Sequence, residues 1–203
     1  FSGWLILGVA GVLTVALFAA TPHPHWERLW TFANFSGLPE GAPYLAFQYR
    51  HYLDYGEAAS FERFARLVDA AIAVSGLPVL GIPMHFTNTD EREHLFEVAR
   101  HVRQRERFLV IREQLDAAEA KGLVAGATAA FGISYHSAVF ALSSAVPYIG
   151  LFRSAHYTQK MLGLSELFED HGLAVPLDEA TPERFAELLH ARLVHRDVVA
   201  EHL

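Results

Sequence analysis

A chain of 203 residues is long enough for one sizeable core, or for one lobe of a larger enzyme. Hydrophobic residues at 52% and charged residues at 19% exclude a disordered chain, and a formal net charge of -7 argues against a nucleic-acid partner. With no cysteine there is no disulfide scaffold, thiolate zinc site or cysteine nucleophile, which agrees with a reducing compartment.

The chain opens on Phe1 rather than Met, so its natural start is expected upstream. "FSGWLILGVAGVLTVALFAA" is uncharged and raises the question of a membrane span. Its three glycines, and the lack of a preceding basic residue, favour a buried strand and turn left from a preceding domain. Residues 21–43, with four prolines, read as a linker. The expected division is therefore 1–43, a lobe remnant plus linker, and 44–203, an α/β lobe carrying the binding site.

From Tyr44 strand and helix patterns alternate. "YLAFQYRHY" predicts a strand. Ser60 is placed as the cap of a helix whose Phe61, Phe64, Ala65, Val68, Ala71 and Ile72 fall at helical spacing. "GLPVLGIPM" predicts a buried strand. A helix capped near Asn88 follows, with Leu95, Phe96, Ala99 and Val102 inward. "RFLVI" predicts a strand, "REQLDAAEAKG" a helix ending at Gly122, and "LVAGATAAFGI" another strand region. Tyr135–Ala145 is expected as a buried helix, "VPYIGLF" as a strand, Ala155–Phe168 as a helix and "LAVPL" as a short strand. Thr181 and Pro182 supply the cap and first position of a terminal helix. Strands alternating with helices imply a doubly wound, mostly parallel, Rossmann-like sheet with helices on both faces.

In such a sheet ligands bind beyond the carboxyl ends of the strands, where helix N-termini also point. Four loops meet that condition. They carry Arg50, His51 and Tyr52; His85, Thr87 and Asn88; Ser134, Tyr135, His136 and Ser137; and Arg153, Ser154, His156, Tyr157 and Lys160. Cations beside free helix N–H groups suit an anionic substrate, and a histidine there suits proton transfer. Each residue taken singly has a plain structural alternative. His136 reads equally as a capped core ring, Arg50 as a partner of Asp54 or Glu57, and Lys160 as part of a solvated helix face. His85 is one of twelve histidines. There is no GxGxxG, no GxxxxGK[ST] and no GxSxG, and "HPH" at 23–25 lacks a second metal-binding cluster at zinc spacing. No metal or cofactor is expected.

The run "GISYHSAVFALSSAVPYIGLFRSAHYTQKMLGL" resembles the signature of the polysaccharide pyruvyl transferase family. His136 matches the histidine of an Arg-x-His pattern, "FALSSAVP" the helix exit, and Lys160 with "MLGL" a lysine region. Upstream, "LAFQYR" resembles a family strand ending in an arginine, here Arg50. "LPVLGIPMHFTNTDEREH" resembles the next strand, loop and acidic helix start. The resemblance covers roughly Tyr44 to Gly172.

It implies the C-terminal lobe of a GT-B-type transferase, with phosphoenolpyruvate as donor and a saccharide as acceptor joined as a pyruvate ketal. By position Arg50 grips the donor and His136 binds it or protonates its methylene carbon. Ser134, Tyr135, Ser137, Arg153, Tyr157, Lys160 and His85 complete the expected substrate-binding set. The motif arginine is replaced by Ser134, so Arg153 or the helix N-terminus is expected to compensate; otherwise the donor differs or activity is lost. The expected setting is cytoplasmic, at the inner face of a membrane carrying a lipid-linked acceptor, with an N-terminal lobe of the same protein closing the cleft. Two rivals are a glycosyltransferase with a nucleotide-sugar donor and a non-catalytic α/β binding module.

Overall fold

The computed structural model describes residues 37–39, 41–51, 58–87, 90–170 and 173–195. The expectations for residues 1–36, including the membrane-span question and "HPH", lie outside them. Six parallel strands form one sheet in the order β3-β2-β1-β4-β5-β6. They are β1 (Leu45–Gln48), β2 (Val79–Gly81), β3 (Phe108–Val110), β4 (Ala129–Gly132), β5 (Tyr148–Phe152) and β6 (Ala174–Pro176). The helices are α1 (Ala58–Ser75), α2 (Glu91–His101), α3 (Ala117–Ala125), α4 (Tyr135–Leu142), α5 (Ala155–Leu167) and α6 (Pro182–Val194).

The strands are near-continuous apolar runs because helices cover both faces. On one face Leu45, Phe47, Phe131, Ile149 and Leu151 pack against Phe64, Val68 and Ile72 of α1, Leu95 and Val98 of α2, and Phe185 and Leu189 of α6. Phe131 links two aromatic groups there, with ring centroids 4.9 Å from Phe47 and 5.0 Å from Phe185. On the other face Ala46, Leu80, Ala130 and Tyr148 meet Leu123 and Val124 of α3, Ala138 and Ala141 of α4, and Met161 and Leu164 of α5. Leu38 is also buried in that second cluster.

Local chemistry moves several helix ends from their predicted places. Helix α1 already begins at Ala58, so Ser60 lies inside it and is not its cap. Asp90, rather than Asn88, caps α2 by accepting the Arg92 N–H at 3.0 Å. Within α2, Val98 fills the core place expected of Phe96, whose half-buried ring lies under Arg112. Helix α3 starts late, at a capping box of Asp116 and Glu119, and runs through Gly122 to a cap at Gly126. "LVA" is therefore its last turn, not strand. Helix α4 ends at Leu142, because Ser143 and Ser144 turn and Ala145 adopts a left-handed φ of 55°. Helix α5 ends at Leu167, and Phe168 is its cap. Thr181 caps α6 and Pro182 opens it, as expected.

Helix α6 is fastened by Arg192, which makes two bonds to Asp170 at 2.5 and 2.6 Å. The two side chains are only 10% and 11% exposed. Losing one partner strands the other charge in the interior, so Asp170→Ala is expected to cost about 3 kcal/mol, read from the shift in urea midpoint. A loss no larger than that of an exposed pair such as Arg184–Glu187, about 0.5 kcal/mol, would contradict this.

Among the described residues no helix is long and apolar enough to cross a membrane.

Candidate functional site

Strand order reverses between β1 and β4, which pair in register from Leu45↔Ala129 to Gln48↔Gly132. Ligands of open α/β sheets bind outside the carboxyl ends of the strands at such a point. Gly132 makes the point possible. Its φ is 154°, and a Cβ there would lie 2.2 Å from the Gln48 carbonyl oxygen. Just beyond, the Ile133 N–H donates to that same carbonyl at 3.4 Å, and the chain turns into α4.

The first turn of α4 holds "SYHS". Ser134 is its cap, and its hydroxyl oxygen accepts the Ser137 N–H at 3.4 Å. Tyr148, fully buried beneath, donates to the Ser134 carbonyl at 3.3 Å, and the Ser137 hydroxyl bonds the same phenol. Burial raises the Tyr148 pKa well above that of an ordinary phenol, so the group stays protonated. Ser134 and Ser137 are thus engaged in holding the helix start. The serine in the arginine's place is a helix cap.

Tyr135 is half-buried and His136 exposed, their rings edge to face with centroids 6.0 Å apart. Lys160, reaching over from α5, sets its Nζ 5.5 Å from the Tyr135 ring and 5.6 Å from the Tyr157 ring. This is a cation held on two aromatic faces, and among the described residues it has no carboxylate partner. Partial desolvation first, and the Lys160 charge second, hold His136 below the usual histidine pKa. Both effects favour a neutral imidazole beside the Lys160 amine. Lys160→Met is expected to move the titration of His136 upward toward the ordinary histidine value, because the repulsion is gone while the desolvation remains. An NMR titration of the ring protons reads this directly, and an unmoved or lowered midpoint would contradict the coupling.

Across the switch point, Arg50 and His51 follow β1. The His51 N–H donates to His94 Nδ1 at 3.0 Å, and the His51 ring stacks on Phe61 at 5.2 Å. Desolvation, followed by the nearby His51, lowers the His94 pKa. His85 Nε2 is 3.3 Å from Thr87 Oγ1. Arg153, the expected substitute for the motif arginine, turns toward Asp178, with 3.6 Å between Nε and Oδ2; Arg63 meets the same carboxylate at 3.3 Å. His156 stands exposed against Tyr157.

The structure thus brings Tyr135, His136, Tyr157 and Lys160 into one cluster, with Arg50 and His85 on the neighbouring strand ends. Sequence reasoning missed Gln48, Glu91, His94 and Tyr148. A lone glutamine closing the apolar strand "LAFQ" was the available signal for the first. Among the described residues no group of three or more His, Asp or Glu is placed to hold a metal ion.

A model of the polysaccharide pyruvyl transferase family matches residues 35–151, more than half of the sequence. The chain belongs to that family. The match includes Arg50, His85 and the whole "SYHS" turn, whereas Arg153, Tyr157 and Lys160 lie beyond it. No curated protein sequence matches this pyruvyl transferase family member significantly. Among solved structures it is similar to E. coli ADP-heptose LPS heptosyltransferase II, with a TM-score of 0.63 at 16% identity over 87% of this chain. It is also similar to S. aureus MnaA in a co-structure with UDP, with a TM-score of 0.54 at 13% identity over 86% of this chain. At these identities the likeness establishes the fold, a single Rossmann-like lobe of the GT-B-like kind. The family member spans 56% and 41% of the lengths of those two chains, about half.

Proposed function

We propose that this chain supplies the donor-binding lobe of a polysaccharide pyruvyl transferase, with phosphoenolpyruvate as donor and sugar hydroxyls as acceptor. Family membership and a GT-B-like fold support a polysaccharide-modifying transferase at the coarse level. The observation that carries the finer reading is the pairing of His136, on the first turn of α4 at the switch point, with Lys160 from α5. It combines a cation, a helix N-terminus and a proton carrier, which suit a small anion that must be protonated on carbon.

Ketal formation adds a proton to the donor's methylene carbon, making it a methyl group. Two sugar oxygens bond to the adjacent carbon, whose bond to the phosphate oxygen breaks, and the two hydroxyl protons balance the methyl proton and the released phosphate. Lys160, with Arg50 from β1, binds the carboxylate and phosphate charges. His136, held toward the neutral form by desolvation and by Lys160, gains affinity for a proton once those negative charges offset Lys160, and so becomes the acid where the donor is bound. The upstream lobe of the same protein is proposed to close the cleft and hold the saccharide. A lipid-linked acceptor would place the reaction at the cytoplasmic face of a membrane.

The test is thermal stabilisation of the intact protein by phosphoenolpyruvate and, separately, by UDP. Stabilisation by phosphoenolpyruvate is expected. A response to UDP alone would overturn this reading in favour of a nucleotide-sugar glycosyltransferase.

A further inference from the structure

Glu91 is the first residue of α2, yet only 3% of it is exposed, and Gln48, closing β1, is 1% exposed. The Glu91 Oε2 accepts from Gln48 Nε2 at 2.9 Å and from the Met84 backbone N–H at 2.8 Å. The Glu91 backbone N–H donates to the His85 carbonyl at 3.0 Å. One residue therefore ties the end of β1 to the loop after β2. Arg50 lies two residues beyond Gln48 and His85 directly after Met84, and both act electrostatically on the Glu91 carboxylate.

Helix capping does not account for this carboxylate, because Asp90 already caps α2. Burying it is unfavourable, and desolvation raises its pKa. The positive end of α2 offsets part of that cost. What the carboxylate supplies that an apolar side chain could not is a hydrogen-bonded joint between the loop that carries Arg50 and the loop that carries His85. Gln48 belongs to the same joint: its Nε2 is engaged while its buried Oε1 has no partner among the described residues.

We propose that Glu91, acting through Gln48 and Met84, is a positioning residue that holds Arg50 and His85 on one wall of the anion site. The inference rests on reading the crevice as a phosphoenolpyruvate site, so its test uses inorganic phosphate as a second probe.

Gln48→Met cuts the joint on the β1 side and removes the unpartnered Oε1 with it, so the melting temperature should change little. In the intact protein the half-saturating concentrations of phosphoenolpyruvate and of phosphate are expected to rise about tenfold, with kcat within about twofold. Glu91→Gln keeps both bonds, since one amide oxygen can accept from Gln48 Nε2 and from the Met84 N–H in place of the Glu91 Oε2. It should bind both anions within about twofold of the wild type, and a residue with a merely structural role would show no such KM-selective loss in one variant and retention in the other. Unchanged affinity for both anions in Gln48→Met overturns the inference, as does a loss of stability and kcat together in Gln48→Met, or an affinity loss in Glu91→Gln as large as that in Gln48→Met. Phosphate binding that weakens in Gln48→Met, with a wild type silent to phosphoenolpyruvate, upholds the inference and overturns the donor assignment. A wild type silent to both anions overturns both.

Discussion

His136→Ala in the intact protein is expected to lower kcat for pyruvyl transfer by about 10²–10⁴-fold, the usual worth of a positioned general acid. Half-saturation by phosphoenolpyruvate should move far less, because Lys160, Arg50 and the start of α4 remain. The fold should be little disturbed, since the residue is exposed and its ring meets Tyr135 edge to face outside the core. The pH dependence follows from the direction of the shift. Desolvation and Lys160 favour the neutral ring, so an acid at this position is lost as pH rises through its pKa in the donor complex. The wild-type kcat should therefore fall on the alkaline side with a limb that His136→Ala lacks. Phosphate release coupled to saccharide modification, followed across pH, measures both effects. Full activity in His136→Ala would remove the catalytic role assigned to it.

Gly132→Ala should be the most damaging single methyl in the described part of the chain. The added Cβ would sit 2.2 Å from the Gln48 carbonyl oxygen and 3.0 Å from its carbon, at a φ of 154° that L side chains rarely adopt. Backbone, not a flexible side chain, stands in the way, so β1 and β4 must part at the switch point. A cost of about 3–5 kcal/mol is expected, at the severe end for one substitution. Gly163→Ala in α5 is the control of opposite sign, because a Cβ there meets nothing within 4 Å. It should gain about 0.5–1 kcal/mol through helix propensity. Urea midpoints of the two variants test the contrast, and equal effects would show that the close approach at Gly132 is unimportant.

The two variants separate the site's chemistry from its scaffold. His136 supplies a proton and little packing, whereas Gly132 supplies no chemistry and makes room for the turn that presents His136. Ser134 belongs with Gly132. In the place of a motif arginine it serves as a helix cap, accepting the Ser137 N–H while Tyr148 holds its carbonyl. The cation near His136 comes instead from Lys160, on the following helix. Arg153 was the nearer candidate in sequence, but its Nε faces Asp178.

Helix ends were misplaced wherever two residues could each cap or stop a helix. Asp90 prevailed over Asn88, and Gly126 over Gly122, because capping depends on which side chain or amide reaches the last free backbone group. Composition does not record that reach. Val98 took the core place expected of Phe96 for a related reason: helical spacing defines a stripe, but the neighbouring sheet decides which edge of it is buried.

Alternating apolar runs and helical stripes were enough by themselves to determine the parallel, doubly wound sheet, since both signals arise within single elements. They also placed Arg50, His85, Ser134, Tyr135 and His136 at strand ends and helix starts, with Lys160 one turn into the next helix, and the block around His136 carried the family. Only the tertiary structure decided which of these meet. Lys160 reaches Tyr135, Arg153 turns toward Asp178, and Gln48 is joined to Glu91 across 43 residues. Such pairings follow from strand order and from the close passage of β1 and β4 at Gly132, and neither leaves a periodic trace along the chain.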